Sequence, residues 1–236
     1  MANSLIIGGK SGIGLVVKEV LKDRGDNVYT ASRRQDKSDR KHLLIDLPDS
    51  FKSILSTKWD NLIFTHRYRG DSWASEFDIT VKSINLMVNS LKENLNANAS
   101  IVILGSQASR YIYSEQGAAY HSSRAALEGL VKFLAVNLGK KTIRCNLVNP
   151  PTLLKPENKK FFHSDNKTRQ VLEQITPLSR MGRSEDIANL IEFLCSDKSS
   201  FITGQSFNVD GGLSLVAQES VVKLYEKGGK EYTLTD

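Results

Sequence analysis

The hydrophobic positions of this chain fall into short apolar runs that alternate with longer segments of helical periodicity. The apolar runs predict buried strands at 5–8, 27–31, 42–46, 61–65, 100–106, 143–148 and 206–210. Helices are predicted between them, at 13–24, 72–95, 120–138 and 185–195. Short, fully apolar strands that alternate with helices are typical of a parallel sheet covered on both faces. The pattern therefore predicts the α/β class, with a doubly wound parallel sheet of about seven strands.

Residues at segment ends support this pattern. Ser184 stands before EDIANLIEFL and is predicted to cap that helix, with Glu185 and Asp186 in the first turn, where the helix dipole favours acids. The Asp-Gly-Gly sequence at 210–212 predicts a turn after the last strand. Both boundaries agree with the elements placed by periodicity.

Length and composition indicate one globular domain. The chain has 236 residues, of which 40% are hydrophobic and 25% charged, so residues 1–236 are predicted to form a single domain. The apolar stretch near the N-terminus is too short for a signal peptide, and no run of about 18 apolar residues occurs. We therefore expect a cytoplasmic protein without a membrane segment.

Cysteine and histidine usage argues against disulfide and metal sites. Cys145 and Cys195 are the two cysteines, and each lies inside an apolar segment, which favours buried thiols. The four histidines lack the spacing of metal ligands. We predict no metal site.

The net charge of +6 is scattered along the chain. Its basic clusters at 33–41 and 158–163 are short, so a nucleic-acid partner is not expected. These clusters are either solvated loops or part of a basic pocket for a phosphorylated small molecule.

A glycine-rich loop follows the first predicted strand and opens the first helix. It reads GGKSGIG at 8–14. Open α/β sheets bind dinucleotides here, because glycines let the backbone approach the pyrophosphate and the helix N-terminus offers free N–H groups. The spacing differs from the common G-x-G-x-x-G, so ordinary strand-to-helix geometry is the alternative explanation.

The end of the second strand indicates which dinucleotide would fit. An NAD site needs an acidic residue there for the ribose hydroxyls, whereas this chain presents Ser32, Arg33 and Arg34. Arg33 suits a 2′-phosphate, and Lys10 in the glycine loop adds a second positive charge. The pattern favours NADP(H), with solvated surface arginines as the alternative.

Tyr120 and Arg124 stand four positions apart in the sequence AAYHSSRAAL at 118–127. Tyr29 and Arg33 have the same spacing, so spacing alone does not identify a functional pair. Tyr29 is predicted to lie in a strand, whereas Tyr120 and Arg124 share one face of a helix. The surroundings of each pair must decide.

These motifs together resemble the short-chain dehydrogenase/reductase (SDR) family over residues 4–215. The glycine loop, Ser106 at the end of SIVILGS, Tyr120 and the segment IRCNLVNPPT at 143–152 are similar to the family's motifs. The stretch at 177–212 is the most specific match. The resemblance implies a single-domain Rossmann fold and a nicotinamide cofactor.

The resemblance also implies particular site residues. The catalytic set would be Ser106, Tyr120, Arg124 and Thr80. The contacts to NADP(H) would come from Gly8, Lys10, Ser11, Gly12, Ile13, Gly14, Ser32, Arg33, Asp46, Leu47, Tyr120, Arg124, Pro150 and Thr152. Residues 152–180 have no clear period and are the predicted mobile segment on the substrate side. Residues 214–236 would form a C-terminal tail.

Several positions depart from the family's pattern. The family's Asn-Asn-Ala-Gly after the fourth strand is Phe-Thr-His-Arg at 64–67, and its Pro-Gly near the nicotinamide is Pro-Pro at 150–151. The family's catalytic tetrad consists of an asparagine, a serine, a tyrosine and a lysine. Its asparagine corresponds here to Thr80, and its lysine corresponds to Arg124. Two of the four tetrad positions are therefore changed, which affects the expected chemistry but not the expected fold.

The candidate residues suggest a mechanism. Reduction of a carbonyl by a nicotinamide needs a proton at oxygen, and Tyr120 is the candidate general acid. A tyrosine in this role needs a nearby cation. Arg124 supplies the charge, although a guanidinium does not release a proton. Ser106 would hold the carbonyl oxygen. His66 and Arg67 either contact an anionic substrate group or replace small residues without such a role.

Two functions remain open. The first is an NADP(H)-dependent oxidoreductase of the carbonyl reductase or alcohol dehydrogenase type, acting on a small-molecule carbonyl or hydroxyl. The second is a catalytically weak or inactive relative that serves as a binding or assembly partner. Tyr120 and Ser106 favour the first, whereas Thr80 and Arg124 favour the second.

A homo-oligomer is also expected. The family commonly forms homodimers or homotetramers through two long helices, which correspond here to 72–95 and 120–138. The sequences SINLMVNSL and ALEGLVKFLAVNL carry apolar stripes within these helices.

Overall fold

A parallel sheet forms the centre of the protein. The computed structural model describes residues 1–34, 36, 39–48 and 50–226. Within these residues the strands, in chain order β1 to β7, are Asn3–Ile7, Asn27–Ser32, His42–Leu44, Trp59–Phe64, Leu95–Leu104, Arg144–Asn149 and Ser206–Asn208. They lie in the order β3-β2-β1-β4-β5-β6-β7, and neighbouring strands run parallel. The predicted doubly wound α/β fold is confirmed.

Helices cover both faces of the sheet. In chain order, α1 to α7 are Gly12–Asp23, Trp73–Phe77, Ser83–Leu91, Ala118–Leu138, Lys167–Ile175, Ser184–Leu194 and Gln218–Glu226. Helices α1 and α6 pack together on one face, and α3 and α4 lie on the other. None of the helices in the described residues is long and apolar enough to cross a membrane.

Alternate side chains of the central strands enter two separate cores. In β1, Leu5 and Ile7 join the core beneath α3 and α4, whereas Ile6 joins the core beneath α1 and α6. In β5, Ile101 and Val102 divide in the same way. Successive side chains of a strand point to opposite faces, so a strand covered on both faces is apolar at every position. This explains the unbroken apolar runs in the sequence.

The helix predicted at 72–95 is interrupted and ends earlier. Helices α2 and α3 are joined by a π-helical turn, Asp78–Lys82. The chain leaves α3 after Leu91 and begins β5 at Leu95. A π turn within a helix is rare and frequently occurs at a functional site.

The N-terminus of α6 is capped differently from the prediction. Ser184 is the first residue of the helix, and its buried hydroxyl has no hydrogen-bond partner among the described residues. Arg183 occupies the N-cap position, and its backbone N–H donates to Asp186 Oδ2 (2.7 Å). The Arg180 guanidinium donates to both oxygens of Asp186 (2.7 and 2.8 Å). The acidic first turn is confirmed, whereas the cap predicted at Ser184 is wrong.

Two segments without a predicted element contain helices. Residues 152–180 include α5, and residues 214–236 include α7. The two helices pack together, and Gln174 Nε2 donates to the carbonyl of Leu224 (2.7 Å). The end of the predicted tail, 227–236, lies outside the described residues. The mobility of the first segment stays a prediction.

Both cysteines are buried thiols, as predicted. Cys145 lies in β6 and Cys195 follows α6, and both are free. Burial raises the pKa of Cys195 to about 12, so this thiol stays protonated. The described part of the chain contains no cluster of histidine, cysteine and carboxylate side chains that could hold a metal ion.

Candidate active site

The carboxyl ends of the parallel strands form the edge at which the candidate residues gather. The strand order changes direction between β1 and β4, and open α/β sheets bind ligands at such a point. The glycine loop follows β1, and residues 65–69 follow β4. Ser106 follows β5, while Pro150 and the exposed Thr152 follow β6. The fold thus brings segments that are distant in sequence to one edge.

The glycine loop is shaped by close backbone approaches. Gly8 has a φ of 95°, and a Cβ atom there would lie 2.8 Å from the backbone nitrogen of His66. A Cβ atom on Gly14 would lie 2.5 Å from Thr65 Oγ1. A larger residue at either position would displace the loop after β4. Ile13 is buried in the core beneath α1 and anchors the loop.

The loop leads directly into the N-terminus of α1. Ser11 is the N-cap residue, and Gly12 begins the helix with a φ of 56°. No described side chain caps this end, so the first N–H groups of α1 are available to an anion such as a diphosphate. Glu157 Oε1 lies 3.4 Å from the position of a Cβ atom on Gly12. This exposed side chain must turn away when an anion binds there.

The end of β2 presents two exposed arginines. Arg33 and Arg34 follow Ser32, whose hydroxyl donates to the Arg34 carbonyl (3.1 Å). The ammonium of Lys10 lies beside them and pairs with Asp36 (3.3 Å). Lys10 therefore shares its charge with an acid, which weakens its predicted part in holding a 2′-phosphate. Arg33 remains the stronger candidate.

Asp46 and Leu47 border the same edge. The backbone of Asp46 exchanges hydrogen bonds with Ser50 in both directions (2.7 Å each). The backbone N–H of Ile45 donates to the Ser32 carbonyl (3.1 Å), which joins this turn to the end of β2. Leu47 packs against the core beneath α3 and α4.

Ser106 and Tyr120 lie on elements that pack against each other. The Ser106 hydroxyl oxygen accepts the Ala108 N–H (3.1 Å), which leaves the hydroxyl proton free to donate. Tyr120 lies in the first turn of α4. Further along α4, Glu128 accepts a hydrogen bond from Ser109 Oγ (3.1 Å). This contact holds the turn after Ser106 against α4.

Arg124 lies one helical turn after Tyr120 and is almost fully buried. Its guanidinium carbon is 4.6 Å from the centroid of the Tyr120 ring, and its side chain is 3% exposed. Burial lowers the pKa of Arg124, while Tyr120 and Glu76 oppose that effect. An arginine nevertheless keeps its charge near neutral pH. Helix α4 thus places a fixed cation against the tyrosine ring.

Glu76 completes this cluster and was not predicted from the sequence. One oxygen of its buried carboxylate accepts hydrogen bonds from Thr80 Oγ1 (2.8 Å), Ser123 Oγ (2.7 Å) and Arg124 Nη2 (3.3 Å). Thr80, the counterpart of the tetrad asparagine, therefore directs its hydroxyl to Glu76. Thr80 supports the cluster from within the π turn.

His66 lies after β4, with its ring against the π turn. Its Nε2 donates to the Ile79 carbonyl (2.9 Å), which also accepts from Ser83 Oγ (2.6 Å). Burial lowers the pKa of His66 to about 4, and the charge of Arg124 adds to this effect. A neutral histidine supplies no positive charge, so the geometry does not favour His66 as a contact for an anionic substrate group, and that contact stays a hypothesis.

Three cations border this edge without an ion pair in the part of the chain that the structure describes. Arg67 and Arg69 follow β4, and Lys155 follows β6. Burial lowers the pKa of Lys155, and the charges of Arg67 and Arg69 lower it further, against the opposing charge of Glu157. Cations that repel one another in this way favour an anionic ligand.

Tyr113 is a second tyrosine at this edge that was not predicted from the sequence. Its backbone N–H donates to His121 Nε2 (2.9 Å), and its hydroxyl donates to Gln107 Oε1 (3.4 Å). Burial raises the pKa of Tyr113, and the neighbouring Tyr120 and Asp210 raise it further. Tyr113 therefore stays protonated, and its polar side chain lies near Tyr120.

Unpaired polar atoms at this edge fit a bound dinucleotide. Arg124 Nε, His66 Nδ1, Asn208 Oδ1 and both polar side-chain atoms of Asn149 are buried without a hydrogen-bond partner among the described residues. Buried polar groups usually have a partner, so a ligand rich in hydroxyl and amide groups would satisfy them. Together with the glycine loop, these atoms fit a nicotinamide dinucleotide.

Comparisons with known proteins agree with this geometry. A family model described as enoyl-(acyl carrier protein) reductase matches residues 63–214. L-rhamnose 1-dehydrogenase (NAD(P)(+)) of Sphingomonas sp. (strain SKA58) is 32% identical over 139 residues, 58% of this chain and 54% of that protein. Dehydrogenase/reductase SDR family member 4 of Homo sapiens is 32% identical over 142 residues, 59% of this chain and 50% of that protein. The chain spans about half the length of these curated relatives.

A solved structure has the same fold. It is a short-chain dehydrogenase family protein from Francisella tularensis subsp. tularensis SCHU S4, 28% identical, with a TM-score of 0.77 over 92% of this chain and 100% of that chain. The matched family model covers more than half of this chain and includes Ser106, Tyr120 and Arg124. The chain therefore belongs to the short-chain dehydrogenase/reductase family of oxidoreductases.

Proposed function

We propose that the protein is an NADP(H)-dependent oxidoreductase that interconverts a carbonyl and a hydroxyl group of a small molecule. The placement of Tyr120 carries this proposal, because its ring centroid lies 4.6 Å from the buried guanidinium carbon of Arg124 at the edge that also presents the glycine loop. Family membership, with the nicotinamide cofactor that it implies, supports the proposal. When bound, a nicotinamide supplies or accepts the hydride.

Tyr120 acts as the general acid in reduction and as the general base in oxidation. The Ser106 hydroxyl accepts from the Ala108 N–H, so its own proton is free to donate a hydrogen bond to the substrate oxygen. Arg124 stays positive and stabilises negative charge on the phenolic oxygen, but it does not transfer a proton. Tyr120 therefore exchanges its proton with water and not through position 124.

The preference for NADP(H) rests on the end of β2. Arg33 and Arg34 are exposed there, and Arg33 binds the 2′-phosphate in this proposal. Lys10 contributes less because Asp36 already pairs with it. A charge-assisted hydrogen bond to the phosphate is worth roughly 1.5 to 3 kcal/mol, which favours NADP(H) over NAD(H) by about ten-fold or more.

The proposal includes a homodimer or homotetramer located in the cytoplasm. Large apolar side chains on α2 and α4 support a self-association surface: Trp73 is 55%, Phe133 58% and Val136 79% exposed. A partner copy would withdraw these side chains from water.

The direct test follows NADPH absorbance against a panel of small carbonyl compounds. Tyr120→Phe removes the proton donor, so kcat should fall by at least about 100-fold while calorimetric NADPH affinity is retained. Tyr29→Phe is the matched control. Tyr29 lies in β2, as predicted, and packs edge-on against Trp59 at 5.2 Å between ring centroids. This variant should keep full activity.

Two results would contradict the proposal. Equal turnover by the Tyr120→Phe variant and the unaltered protein would remove Tyr120 as the acid. An unaltered protein that binds NADPH but reduces no compound in the panel would favour the binding or assembly function, in keeping with the changes at Thr80 and Arg124.

A further inference from the structure

Glu76 is a buried acid at the centre of the candidate site for which the proposed reaction assigns no role. It lies on α2, whereas the groups that it binds come from two other elements. Thr80 belongs to the π turn, and Ser123 and Arg124 belong to α4. All three donate to one carboxylate oxygen, at distances between 2.7 and 3.3 Å. Glu76 therefore joins three elements at the point where Arg124 meets Tyr120.

The contact between Glu76 and Arg124 compensates the buried charge of Arg124. A guanidinium that is 3% exposed has lost its hydration and needs a counter-charge. Glu76 supplies it at 3.3 Å from Nη2, and the hydroxyls of Thr80 and Ser123 orient the carboxylate. The same guanidinium lies against the Tyr120 ring. The guanidinium of Arg124 thus contacts both the Glu76 carboxylate and the Tyr120 ring.

We propose that Glu76 is a positioning residue of this active site: it holds the guanidinium of Arg124 beside Tyr120 and reduces the positive charge that Tyr120 experiences. The inference rests on the proposed function, in which Tyr120 is the acid. An uncompensated guanidinium would stabilise the ionised phenol further, which would make that phenolate a weaker base when Tyr120 acts in oxidation. Glu76 limits this effect by acting through Arg124.

Other charged and titratable groups face this cluster and are the same in all the variants described below. They are His121 on α4, His66 and Arg67 after β4, Tyr113 before α4 and Asp210 after β7. His66 is neutral well above pH 4, because burial lowers its pKa to about 4. A change in the pH response near or above neutrality therefore does not come from His66.

Glu76→Gln tests the charge while keeping an oxygen that can accept from Thr80 and Ser123. Without the negative charge, Arg124 acts on Tyr120 unopposed. The midpoint of tyrosinate formation, followed by ultraviolet absorbance in the ligand-free protein, should move down by about one pH unit. The pH profile of kcat should move in the same direction. Tyr120→Phe identifies which part of the absorbance change belongs to Tyr120.

Glu93→Gln is the matched control. Glu93 pairs with Lys141 (2.9 Å) on the exposed surface, so the variant removes the same charge away from the site and should leave the midpoint unchanged. A merely structural role for Glu76 predicts a lower melting temperature of the Glu76→Gln variant with an unmoved midpoint. That result would overturn the proposal.

A second variant decides the matter if Glu76→Gln does not fold. In an Arg124→Met background, Glu76 is an uncompensated buried charge, so adding Glu76→Gln should raise the melting temperature. An unchanged or lower melting temperature would overturn the proposal. The tyrosinate titration needs no turnover, so a protein without activity would disprove the proposed function and still report on Glu76.

Discussion

Single charged residues give this site its chemical character. Arg124 keeps a positive charge at the position of the family's lysine, but it does not release a proton near neutral pH. Its burial requires Glu76, and Glu76 in turn requires the hydroxyls of Thr80 and Ser123. The substitution at position 124 is therefore one part of a connected set of polar groups, and changes within such a set are not expected to be additive.

We expect Arg33→Ala to remove the preference for NADPH, because the exposed guanidinium after β2 is the proposed contact to the 2′-phosphate. Calorimetric titration should show NADPH bound about ten-fold or more tightly than NADH by the unaltered protein, and equal affinities for the variant. Arg40→Ala removes another exposed arginine, which lies before β3 and not after β2, and should keep the preference. A preference that survives Arg33→Ala would disprove this assignment.

His66 should make stability depend on pH. An unfolded histidine has a pKa of about 6.5, whereas burial lowers the pKa of His66 to about 4 in the folded protein. The unfolded state thus binds a proton that the folded state rejects, and stability falls as the pH drops from about 6.5 towards 4. Between pH 7 and pH 5 this histidine should account for a loss of about 2 kcal/mol in the free energy of unfolding.

Urea unfolding of His66→Gln at both pH values measures this contribution. Glutamine keeps an N–H donor for the Ile79 carbonyl but does not titrate, so the variant should lose less stability on acidification. His163→Gln alters an exposed histidine and should retain the full pH dependence. The same pH dependence in all three proteins would show that His66 titrates normally.

At the scale of elements, periodicity predicts what is buried on a regular face and misses what is not. The central strands were predicted because both of their faces are buried. Helix α5 was missed because only three of its nine residues, Val171, Leu172 and Ile175, are apolar and none is fully buried, so KTRQVLEQI is too short and too polar to stand out. The π turn between α2 and α3 does not visibly change the spacing of apolar residues, so it was not predicted. The break after Leu91 follows from the pairing of Leu95 with Trp59 in β4, a contact that no local pattern contains.

The same distinction separates the predicted site residues from the missed ones. Ser106, Tyr120 and Arg124 were predicted because each belongs to a motif that is local in sequence. Glu76 is 48 residues from Arg124, and only the packing of α2 against α4 brings them together. Glu76 is the one buried residue of α2, and nothing in the local sequence WASEF indicates that burial.

The N-terminus of α6 offers a test of how that helix is held. Asp186→Ala removes the acceptor for the Arg183 N–H and for the Arg180 guanidinium, so the free energy of unfolding should fall by about 1 kcal/mol. Ser184→Ala removes a buried hydroxyl without a described partner and should cost less or even stabilise the protein. Chemical denaturation of both variants decides between them. A larger loss for Ser184→Ala would restore Ser184 as the cap.

At the scale of the whole molecule, we expect association through the apolar face of α2 to α4. Phe77, Val81, Leu130 and Phe133 line a shallow groove on this face. Light scattering at micromolar concentration should give the mass of a dimer or tetramer, and Phe133→Asp should shift it towards the monomer. Phe161→Asp places the same charge at an equally exposed phenylalanine outside this face and should have no effect. A monomeric unaltered protein would refute the prediction.

The strand order also governs how the chain reaches this structure. Ser4 of β1 pairs with Asn61 of β4, and Leu147 of β6 pairs with Ser206 of β7. Each of these neighbouring strand pairs is therefore separated by more than fifty residues of chain. Proteins built on such distant pairings fold slowly, because loop entropy is lost before the contacts form. During synthesis on the ribosome, β6 keeps one bare edge until β7 emerges. The strand that leads to Pro150 is therefore enclosed only after β7 has been synthesised.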